Sequence, residues 1–395
     1  MIGQGRRNTT TVWAYDRSSE RTYETRMKLI CNLSMLGSQP IGLGVHAENC
    51  LAALAERFNL DIIAGSGKQF HGNVLIKAPE SITLEKGKIA AVRRYLWGRS
   101  LRFGSDRLVY SPTQHGLPNQ SGQIITVHDL LQLRFPHQYP HIYIYLRFLL
   151  PRLMKKCRAV FTVSEASRQD IFRFYGYPLE RIFVIPNGVD TTAFSPNPSI
   201  RAGSDPFLLM VGGRYPHKNV VEALDMSQYW KNDYRLIIAS CNYGSYRRVL
   251  ERKVRDLGLA DRVEFKDYLA HDELLRLYQG ATALVFPSHI EGFGIPPLEA
   301  IACGTPVIAS DIPVLREVLG EVAQFVKLGS PQSWAEAINS LKDSSTINSR
   351  LVEGQKLLSK FSWNNAANAL ERTLLNIEPR LEDSRRDHEL LINQS

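Results

Sequence analysis

The sequence has few cysteines and lacks the marks of a secreted or membrane-spanning chain. Its cysteines, Cys31, Cys50, Cys157, Cys241 and Cys303, are scattered and form no C-x-x-C pair, so neither a disulfide framework nor a zinc site is expected. No apolar run reaches the roughly 18 residues of a membrane-spanning helix. The first residues also lack the apolar core of a signal peptide. These absences predict a cytoplasmic protein with reduced thiols.

The common phosphate-binding loops are incomplete in this chain. Residues 65–69 (G-S-G-K-Q) lack the earlier glycine of a P-loop and the Ser or Thr that follows its lysine. No loop completes G-x-G-x-x-G, so a dinucleotide-dependent dehydrogenase has little support. The net charge of +9 attracts polyanions, anionic membranes or nucleotide ligands. No nucleic-acid-binding motif accompanies it, and nucleic acid is not expected as a partner.

What the chain does contain is an alternation of short apolar runs with helical patterns. At 395 residues with 44% hydrophobic residues, it is long enough for two domains with full cores. Strand followed by helix, repeated, predicts an α/β fold with mostly parallel sheets and helices on both faces. We expect strands at 27–33, 61–64, 107–110, 123–127, 160–163, 181–185, 207–211, 234–239, 263–265, 283–286 and 306–309.

Residues 288–300 (S-H-I-E-G-F-G-I-P-P-L-E-A) hold two carboxylates around a glycine turn and a helix start, for which Pro297 suits the first position. Ligands bind at the carboxyl ends of parallel strands, and phosphates face helix N-termini. Carboxylates accept hydrogen bonds from hydroxyl groups, so Glu291 and Glu299 indicate a ligand with both phosphate and hydroxyls. Glu299 also has a ligand-free interpretation, because a carboxylate in the first helical turn offsets the helix dipole.

A second motif, residues 208–223, brings two cations to the end of a strand. The strand ends in Gly212 and Gly213, and Arg214 and Lys218 precede a helix that we expect to begin near Asn219. Two cations beside a helix N-terminus suit a diphosphate. The alternative is a solvated basic loop.

Three further places in the first half carry weaker signals. His128 and Asp129 emerge at a strand end, where they suit a sugar or a proton, or where Asp129 caps the next turn. Gly42 and Gly44 lie in a glycine loop, 37–44, before a helix, and an ordinary tight turn is the alternative. Ser164 predicts a helix N-cap with a structural role only.

Two basic stretches also contain bulky apolar residues. They are residues 93–102 and 147–158, and Arg94 and Arg152 are the arginines that we expect to contact anionic lipid. The alternative is a pair of amphipathic helices that pack on a sheet with solvated basic faces.

Residues 286–311 (F-P-S-H-I-E-G-F-G-I-P-P-L-E-A-I-A-C-G-T-P-V-I-A-S-D) resemble the E-x7-E motif of the retaining glycosyltransferases of family four, which have the GT-B fold. V-G-G-R-Y-P-H-K-N and H-D-L resemble two other motifs of that family. The resemblance extends over about residues 28–375 and implies two doubly wound, Rossmann-like domains that face a cleft. Many relatives have Arg where this chain has His217, so the resemblance supports a role for Lys218 more strongly than one for Arg214.

The resemblance implies roles for these residues. Lys218 and Arg214 would neutralise the diphosphate, Glu291 would bind the donor sugar, and Glu299 the ribose. His128 and Asp129 would approach the sugar from the facing domain, and Gly42 and Gly44 the phosphates. The other expected donor contacts are Gly212, Gly213, Gly292, Phe293, Gly294 and Ile295. No D-x-D occurs, and neither a metal nor a cofactor is expected.

The resemblance also implies substrates and a domain plan. We expect mannose transfer from GDP-mannose, with anomeric retention, to a saccharide or lipid-linked saccharide in surface polysaccharide (lipopolysaccharide) assembly at the inner face of the membrane. The alternatives are a UDP-sugar donor, a GT-B epimerase or phosphorylase, and a non-catalytic sugar-nucleotide sensor. The expected parts are an arm 1–26, an acceptor-side domain 27–195, a hinge 196–206, a donor-binding domain 207–360, a returning helix 361–378 and a frayed charged tail 379–395.

Overall fold

The computed structural model describes residues 27–37, 42–66, 73–201, 205–242 and 244–385. The expected N-terminal arm lies outside these ranges. Within them the strands form two separate sheets, and every pairing is parallel. This confirms the predicted α/β class with two doubly wound parallel sheets.

The first sheet has seven strands in the order β3-β2-β1-β4-β5-β6-β7. Its central strands are fully buried because helices cover both faces, which explains their continuous apolar sequences. The edge strand β3 alternates exposed and half-buried residues and was not predicted, because its apolar run is only three residues long between Asn73 and Lys77. The strands are β1 Lys28–Asn32, β2 Leu60–Ala64, β3 Asn73–Lys77, β4 Arg107–Ser111, β5 Ile124–Thr126, β6 Ala159–Thr162 and β7 Ile182–Val184.

The second sheet has six strands in the order β10-β9-β8-β11-β12-β13. The order reverses between β8 and β11, and this switch point is where doubly wound sheets bind ligands. The short last strand, β13, was also missed by the sequence analysis. The strands are β8 Phe207–Val211, β9 Arg235–Ala239, β10 Val263–Phe265, β11 Ala283–Phe286, β12 Val307–Ser310 and β13 Gln324–Val326.

Helices connect the strands and cover both sheets. Short 3₁₀ helices occur at Glu80–Ile82, Leu84–Lys86, Leu179–Arg181, Pro216–Lys218, Ser227–Tyr229 and Pro379–Ser384, and a π-helical turn at Tyr145–Leu149. The α-helices are α1 Gly42–Arg57, α2 Gly87–Ser100, α3 Leu131–Arg134, α4 Pro140–Ile144, α5 Leu150–Met154, α6 Glu165–Tyr175, α7 Pro198–Arg201, α8 Val220–Asp225, α9 Ser245–Asp256, α10 His271–Gly280, α11 Ile295–Ala302, α12 Pro313–Leu319, α13 Pro331–Ser340, α14 Ser344–Leu358 and α15 Trp363–Ile377.

The last helix returns to the first sheet. Leu370 and Leu374 of α15 are buried in the same apolar cluster as β1 and α1, and Arg57 of α1 forms an ion pair with Glu371 at 3.0 Å. The chain then continues as an ordered segment, in which Leu381 is buried. The expectation of a frayed tail from residue 379 is therefore wrong up to residue 385, and residues 386–395 lie outside the described ranges.

Two helix starts differ from the expectation. Helix α1 begins at Gly42, so Gly42 and Gly44 belong to its first turn rather than to a loop, and residues 38–41 lie outside the described part. Helix α11 begins at Ile295, which places Pro297 later than the first position. Glu299 is correspondingly in the second turn, and the dipole interpretation of this carboxylate fails.

The proline-rich connection between the sheets is partly helical. It contains α7, and Ser195 accepts a hydrogen bond from Gln279 of α10 at 2.8 Å. The segment around α7 is therefore anchored on the second domain, whereas residues 202–204 lie outside the described ranges. Among the described helices, none is both long and apolar enough to cross a membrane.

Candidate functional site

An ion pair between two βα units occupies the carboxyl edge of the second sheet. Lys218, after β8, donates to Glu291 Oε1, after β11, at 2.8 Å. Both side chains are largely buried, with 13% and 10% of their surface exposed. The Lys218 ammonium also lies 4.4 Å from the centre of the Phe286 ring, where the ring face attracts a cation. Lys218 and Glu291, two oppositely charged residues of the predicted site, are therefore direct partners.

The loop that carries Lys218 is shaped by its glycines. Gly212 has φ +81°, a left-handed conformation that glycine adopts without strain. A Cβ on Gly213 would lie 2.3 Å from Ile238, so the backbone passes directly over the sheet there. Arg214 is exposed and stacks on Tyr215, with 4.5 Å between its guanidinium carbon and the ring centre. Arg214 thus lies at the rim of the site and Lys218 inside it.

The glycine turn after Glu291 touches the first domain. A Cβ on Gly292 would lie 2.6 Å from the carbonyl oxygen of His128, so any larger residue would push the domains apart. Gly294 has φ +104° and provides the N-cap of α11, and Ile295 is the first residue of that helix. Phe293 is buried and packs edge-on against Phe361. The turn therefore presents backbone to the cleft and anchors itself with one aromatic side chain.

Glu299 lies behind this turn on α11. It accepts a hydrogen bond from the Tyr278 hydroxyl at 2.6 Å. Burial raises the pKa of Glu299, while the Tyr278 bond and the Lys218 charge oppose that rise. The carboxylate is thus held by a tyrosine and lies within the field of Lys218.

His128 and Asp129 face the ion pair from the first domain. Burial raises the pKa of Asp129, the backbone N–H of Leu131 lowers it, and the charges of Glu291 and Lys218 act on it in opposite directions. His128 Nε2 donates to the carbonyl of Pro112 at 3.1 Å, which leaves Nδ1 as an acceptor. Burial lowers the pKa of His128 to about 4, so the ring is neutral at physiological pH.

A second buried histidine supports His128 and was missed by the sequence analysis. The rings of His46 and His128 meet edge-to-face with 4.4 Å between their centres. His46 Nδ1 donates to Asn187 Oδ1 at 2.7 Å, and the thiol of Cys50 lies 3.3 Å from Nε2. His46 and Cys50 share one helix face, which was the available signal, and the Asn-Gly pair at 187–188 suggested only a turn.

The domains are joined across the cleft by hydrogen bonds. The hydroxyl of Ser164 donates to the carbonyl of Gly292 at 2.7 Å, and that of Ser167 does so at 3.3 Å. Glu317 of α12 accepts from the backbone N–H groups of Glu165 and Ala166, at 2.6 and 2.9 Å, in the first turn of α6. Ser164 caps α6 as predicted, but its role is not only structural, because it also binds the glycine turn of the other domain.

The cleft contains buried polar atoms that lack protein partners. Among the described residues these include His217 Nδ1, near Glu291, and Tyr139 Oη, near Asp129. Burial lowers the pKa of His217 to about 4, and the charge of Glu291 opposes that shift. Buried polar groups in proteins are usually hydrogen-bonded, so a water molecule or a polar ligand would suit these atoms.

Beside Glu291 the cleft widens into a cavity of about 590 Å³ with walls from both domains. Arg134, Phe135 and Gln169 line it from the first domain, and His289 and Ile290 from the second. Within the described ranges, no cluster of three or more His, Cys, Asp or Glu residues has the geometry of a metal site. The cavity lies between the domains and has the volume of a small-molecule binding site.

Comparison of the sequence identifies its relatives. Residues 193–357 match the family described as Glycosyl transferases group 1, and residues 40–193 match Glycosyltransferase Family 4. The O-antigen chain mannosyltransferase RfbU of Salmonella typhimurium is 35% identical over 328 residues, which are 80% of this chain and 91% of that protein. The O-antigen chain mannosyltransferase B of Escherichia coli is 26% identical over 310 residues, 75% of this chain and 81% of that protein.

The fold also has solved counterparts. The Anabaena protein Alr3699/HepE, crystallised in complex with UDP, superposes with a TM-score of 0.67 over 89% of this chain and 100% of its own, at 20% sequence identity. That likeness supports the GT-B arrangement of two domains and no finer statement.

Proposed function

Because the chain belongs to the group 1 glycosyltransferases, we propose that it transfers mannose from GDP-mannose to a saccharide or lipid-linked saccharide acceptor in surface polysaccharide biosynthesis. Two relatives that match most of the chain are O-antigen mannosyltransferases. In the reaction, the bond between sugar C1 and the diphosphate breaks and a bond from C1 to an acceptor oxygen forms. The acceptor proton leaves with the diphosphate or passes to water.

The observation that carries this proposal is the buried Lys218–Glu291 pair opposite Asp129. A cation and a carboxylate at the carboxyl edge of a doubly wound sheet suit a ligand with both phosphate and hydroxyl groups. The donor diphosphate would take Lys218 as its counter-ion, and the sugar hydroxyls would donate to Glu291. Arg214, which stacks on Tyr215 at the rim, would reach the same diphosphate by a change of side-chain rotamer.

The turn and helix behind the pair would bind the rest of the donor. The N-terminus of α11, with Gly294 and Ile295, would present backbone N–H groups to the phosphates. Glu299, oriented by Tyr278, would accept hydrogen bonds from the ribose. Gly292 and Phe293 would close on the sugar, and Gly212 and Gly213 would let the diphosphate approach the backbone of the other loop.

The first domain would supply the remaining contacts with the sugar. His128 is neutral, so its free Nδ1 would accept a hydrogen bond from a sugar hydroxyl. Asp129 lies near both members of the pair and would orient the same sugar. Gly42 and Gly44, at the N-terminus of α1, would approach the phosphates from the facing side.

We infer retention of the anomeric configuration, with the acceptor attacking on the face that the diphosphate leaves. Lys218 and Arg214 would stabilise the charge that develops on the diphosphate, which is a task that fixed cations perform without a metal. Closure of the domains through Ser164, Ser167 and Glu317 would keep water from the reacting carbon.

We also infer peripheral contact with an anionic membrane, which places the enzyme near lipid-linked acceptors. One face of α2 exposes Ile89, Val92 and Leu96, whose relative solvent exposures are 66%, 62% and 59%. Ile144, just before the π-helical turn, is 55% exposed, and Phe148 within the turn is 51% exposed. Exposed Arg93, Arg147 and Arg152 accompany these apolar residues. An apolar stripe with flanking cations is typical of helices that lie in the interface of anionic bilayers.

A thermal-shift screen tests the donor assignment. GDP, UDP, ADP and dTDP, each free and linked to its sugar, are compared at equal concentration. A ligand at about 100 times its dissociation constant stabilises the fold by about 2.7 kcal/mol, so a specific donor stands out. We expect GDP and GDP-mannose to raise the melting temperature most. A larger shift with UDP and its sugars would instead assign a UDP-sugar donor. UDP is the nucleotide with which a structural neighbour was crystallised.

A further inference from the structure

A second cavity lies in the first domain, away from the Lys218–Glu291 pair. Its volume is about 290 Å³, and it opens between α2 and the helical segment that runs from α4 through the π turn to α5. Apolar walls come from Leu84 and Ala91 on one side and from Ile142 and Leu149 on the other. The loop after β4 forms its inner end. The proposed function gives this cavity no role.

Arg94 is the unusual member of the lining. Only 7% of its surface is exposed, although it carries a charge. Its Nε donates to the carbonyl of Ile82 at 2.8 Å, and no carboxylate pairs with it among the described side chains. Burial lowers the pKa of Arg94 to about 10, which still leaves it protonated at physiological pH. A buried cation that no described carboxylate neutralises is costly, and an anionic ligand group would offset that cost.

The inner end of the cavity offers polar contacts of another kind. Gln114 Oε1 is buried and accepts no hydrogen bond from the described residues. Gln114 belongs to the same loop as Pro112, whose carbonyl accepts from His128. An acceptor atom without a donor suits a ligand hydroxyl. The cavity therefore combines an inner place for a hydroxyl, a buried cation, and apolar walls.

The apolar walls continue to the exposed apolar residues of the same two elements. Leu96 and Val92 lie on α2, the helix that carries Ala91 and Arg94, and Phe148 is adjacent in sequence to Leu149. A hydrocarbon chain held between Ala91 and Leu149 would leave the protein through this face. The arrangement fits a molecule with a hydroxyl-bearing part, an anionic group and a long apolar chain, in that order.

We propose that this cavity binds the phosphate-bearing end of a lipid-linked acceptor, with the phosphate on Arg94 and the first part of the hydrocarbon chain along Ala91 and Leu149. This inference rests on the proposed function, because it assigns the acceptor of the same transfer. Arginine binds phosphate through two parallel N–H bonds, and a low-dielectric cavity strengthens them. The loop 112–115 would then lead the acceptor toward His128.

Calorimetric titration with simple probes tests this site without any transfer reaction. Decyl phosphate, decanol and inorganic phosphate are titrated into the full chain below the micelle concentration. We expect decyl phosphate to bind at least about tenfold more tightly than decanol, because only the phosphate forms charge-assisted hydrogen bonds with Arg94. Inorganic phosphate alone should bind weakly, since it lacks the chain. Equal affinity for decyl phosphate and decanol would overturn the proposal, and tight binding of inorganic phosphate would assign a free-phosphate site instead.

Three variants locate the binding. Arg94→Met should lose about tenfold or more in affinity for decyl phosphate and keep its affinity for decanol. Ala91→Trp fills the cavity from its rim and should lose both ligands, whereas Val352→Trp, at an exposed position on α14 of the other domain, should keep both. Unchanged decyl phosphate binding in Arg94→Met or in Ala91→Trp would contradict the site.

A parallel titration with GDP-mannose separates this inference from the proposed function. Ala91→Trp should bind the donor as the unchanged protein does. If the donor fails to bind but decyl phosphate binds through Arg94, the mannose assignment falls and the phosphate site stands. If the donor binds and decyl phosphate does not, the reverse holds.

Discussion

Lys218 and Glu291 neutralise each other as an ion pair, and this pairing changes what a substitution at either position does. Both side chains are about nine-tenths buried, so removing one leaves the other charged and without a partner. Breaking a fully buried pair costs about 3–5 kcal/mol, and here the remaining exposure reduces this to about 2–3 kcal/mol. A loss of activity in a single variant would therefore mix a binding effect with a stability effect.

The double variant separates the two effects. Lys218→Met and Glu291→Gln should each lower the free energy of unfolding by about 2 kcal/mol, whereas the double variant should recover most of that loss because no charge remains unpartnered. None of the three should bind GDP-mannose. Chemical denaturation measures stability, and calorimetry measures binding. Donor binding in the stabilised double variant would show that the pair serves only the fold.

The residue types of this site could be predicted from sequence, but their contacts could not. Glu291 and Lys218 lie on separate βα units, and only the parallel order of β8 and β11 places them side by side. Glu299 does not offset the helix dipole, because α11 starts earlier than its prolines suggested. Its carboxylate instead accepts a hydrogen bond from Tyr278. His46 carries no motif, so its contact with His128 emerges only when α1 is packed on the sheet.

Both interpretations of the basic stretches, contact with a membrane and packing within the domain, apply to α2 and the π-helical turn, because each has buried and exposed residues. Arg94 is buried and faces a cavity, which corrects the expectation that it contacts the anionic surface of a membrane. Arg93 and Arg152 are exposed, as are the apolar residues beside them. The sequence shows that basic residues alternate with bulky apolar ones. Which arginine is buried depends on how the helix is rotated about its axis when it packs on the domain.

Vesicle binding tests whether the exposed apolar and basic residues of α2 and of the segment 144–152 contact a membrane. Arg93→Glu with Arg152→Glu should weaken binding to vesicles that contain anionic lipid, by about 1 kcal/mol per arginine lost. Leu96→Ser with Phe148→Ser should weaken it as well, because apolar area no longer enters the interface. Val352→Ser, an equally exposed position on α14 of the other domain, is the matched control. Sedimentation with vesicles gives the affinities, and equal binding to neutral and anionic vesicles would contradict the assignment.

Strand prediction succeeded where burial is complete and missed two of the four edge strands, β3 and β13. The central strands are apolar on both faces because helices cover both, and such runs are easy to find. β3 is an edge strand with alternating exposure, and β13 is very short. The apolar part of β3 is only Val-Leu-Ile between Asn73 and Lys77, and that of β13 is only Phe-Val, so both signals are short.

At the level of the whole molecule, the contacts across the cleft make the two domains one site. Glu317 of the second domain caps a helix of the first, and the carbonyl of Gly292 is bound by Ser164 and Ser167. The absence of a side chain at Gly292 allows this approach, since a Cβ there would meet the His128 carbonyl. The glycine turn that lies beside Glu291 therefore also sets how closely the domains meet.

The overall plan was accessible from sequence, because alternating strands and helices over this length allow few arrangements other than two doubly wound sheets. The contacts between domains were not accessible. Ser164 has the pattern of an ordinary N-cap, and Glu317 has that of a solvated helix residue. Both acquire their roles only from the relative position of the two domains.

Transfer of labelled mannose tests the central claim most directly. The purified protein is incubated with GDP-mannose labelled in the sugar and with lipid-linked saccharides extracted from the membranes of its own cell. We predict that label enters the lipid fraction and that this transfer is lost in Glu291→Gln. Label that enters from a UDP-sugar but not from GDP-mannose, or that enters at the unchanged rate in Glu291→Gln, would contradict the account.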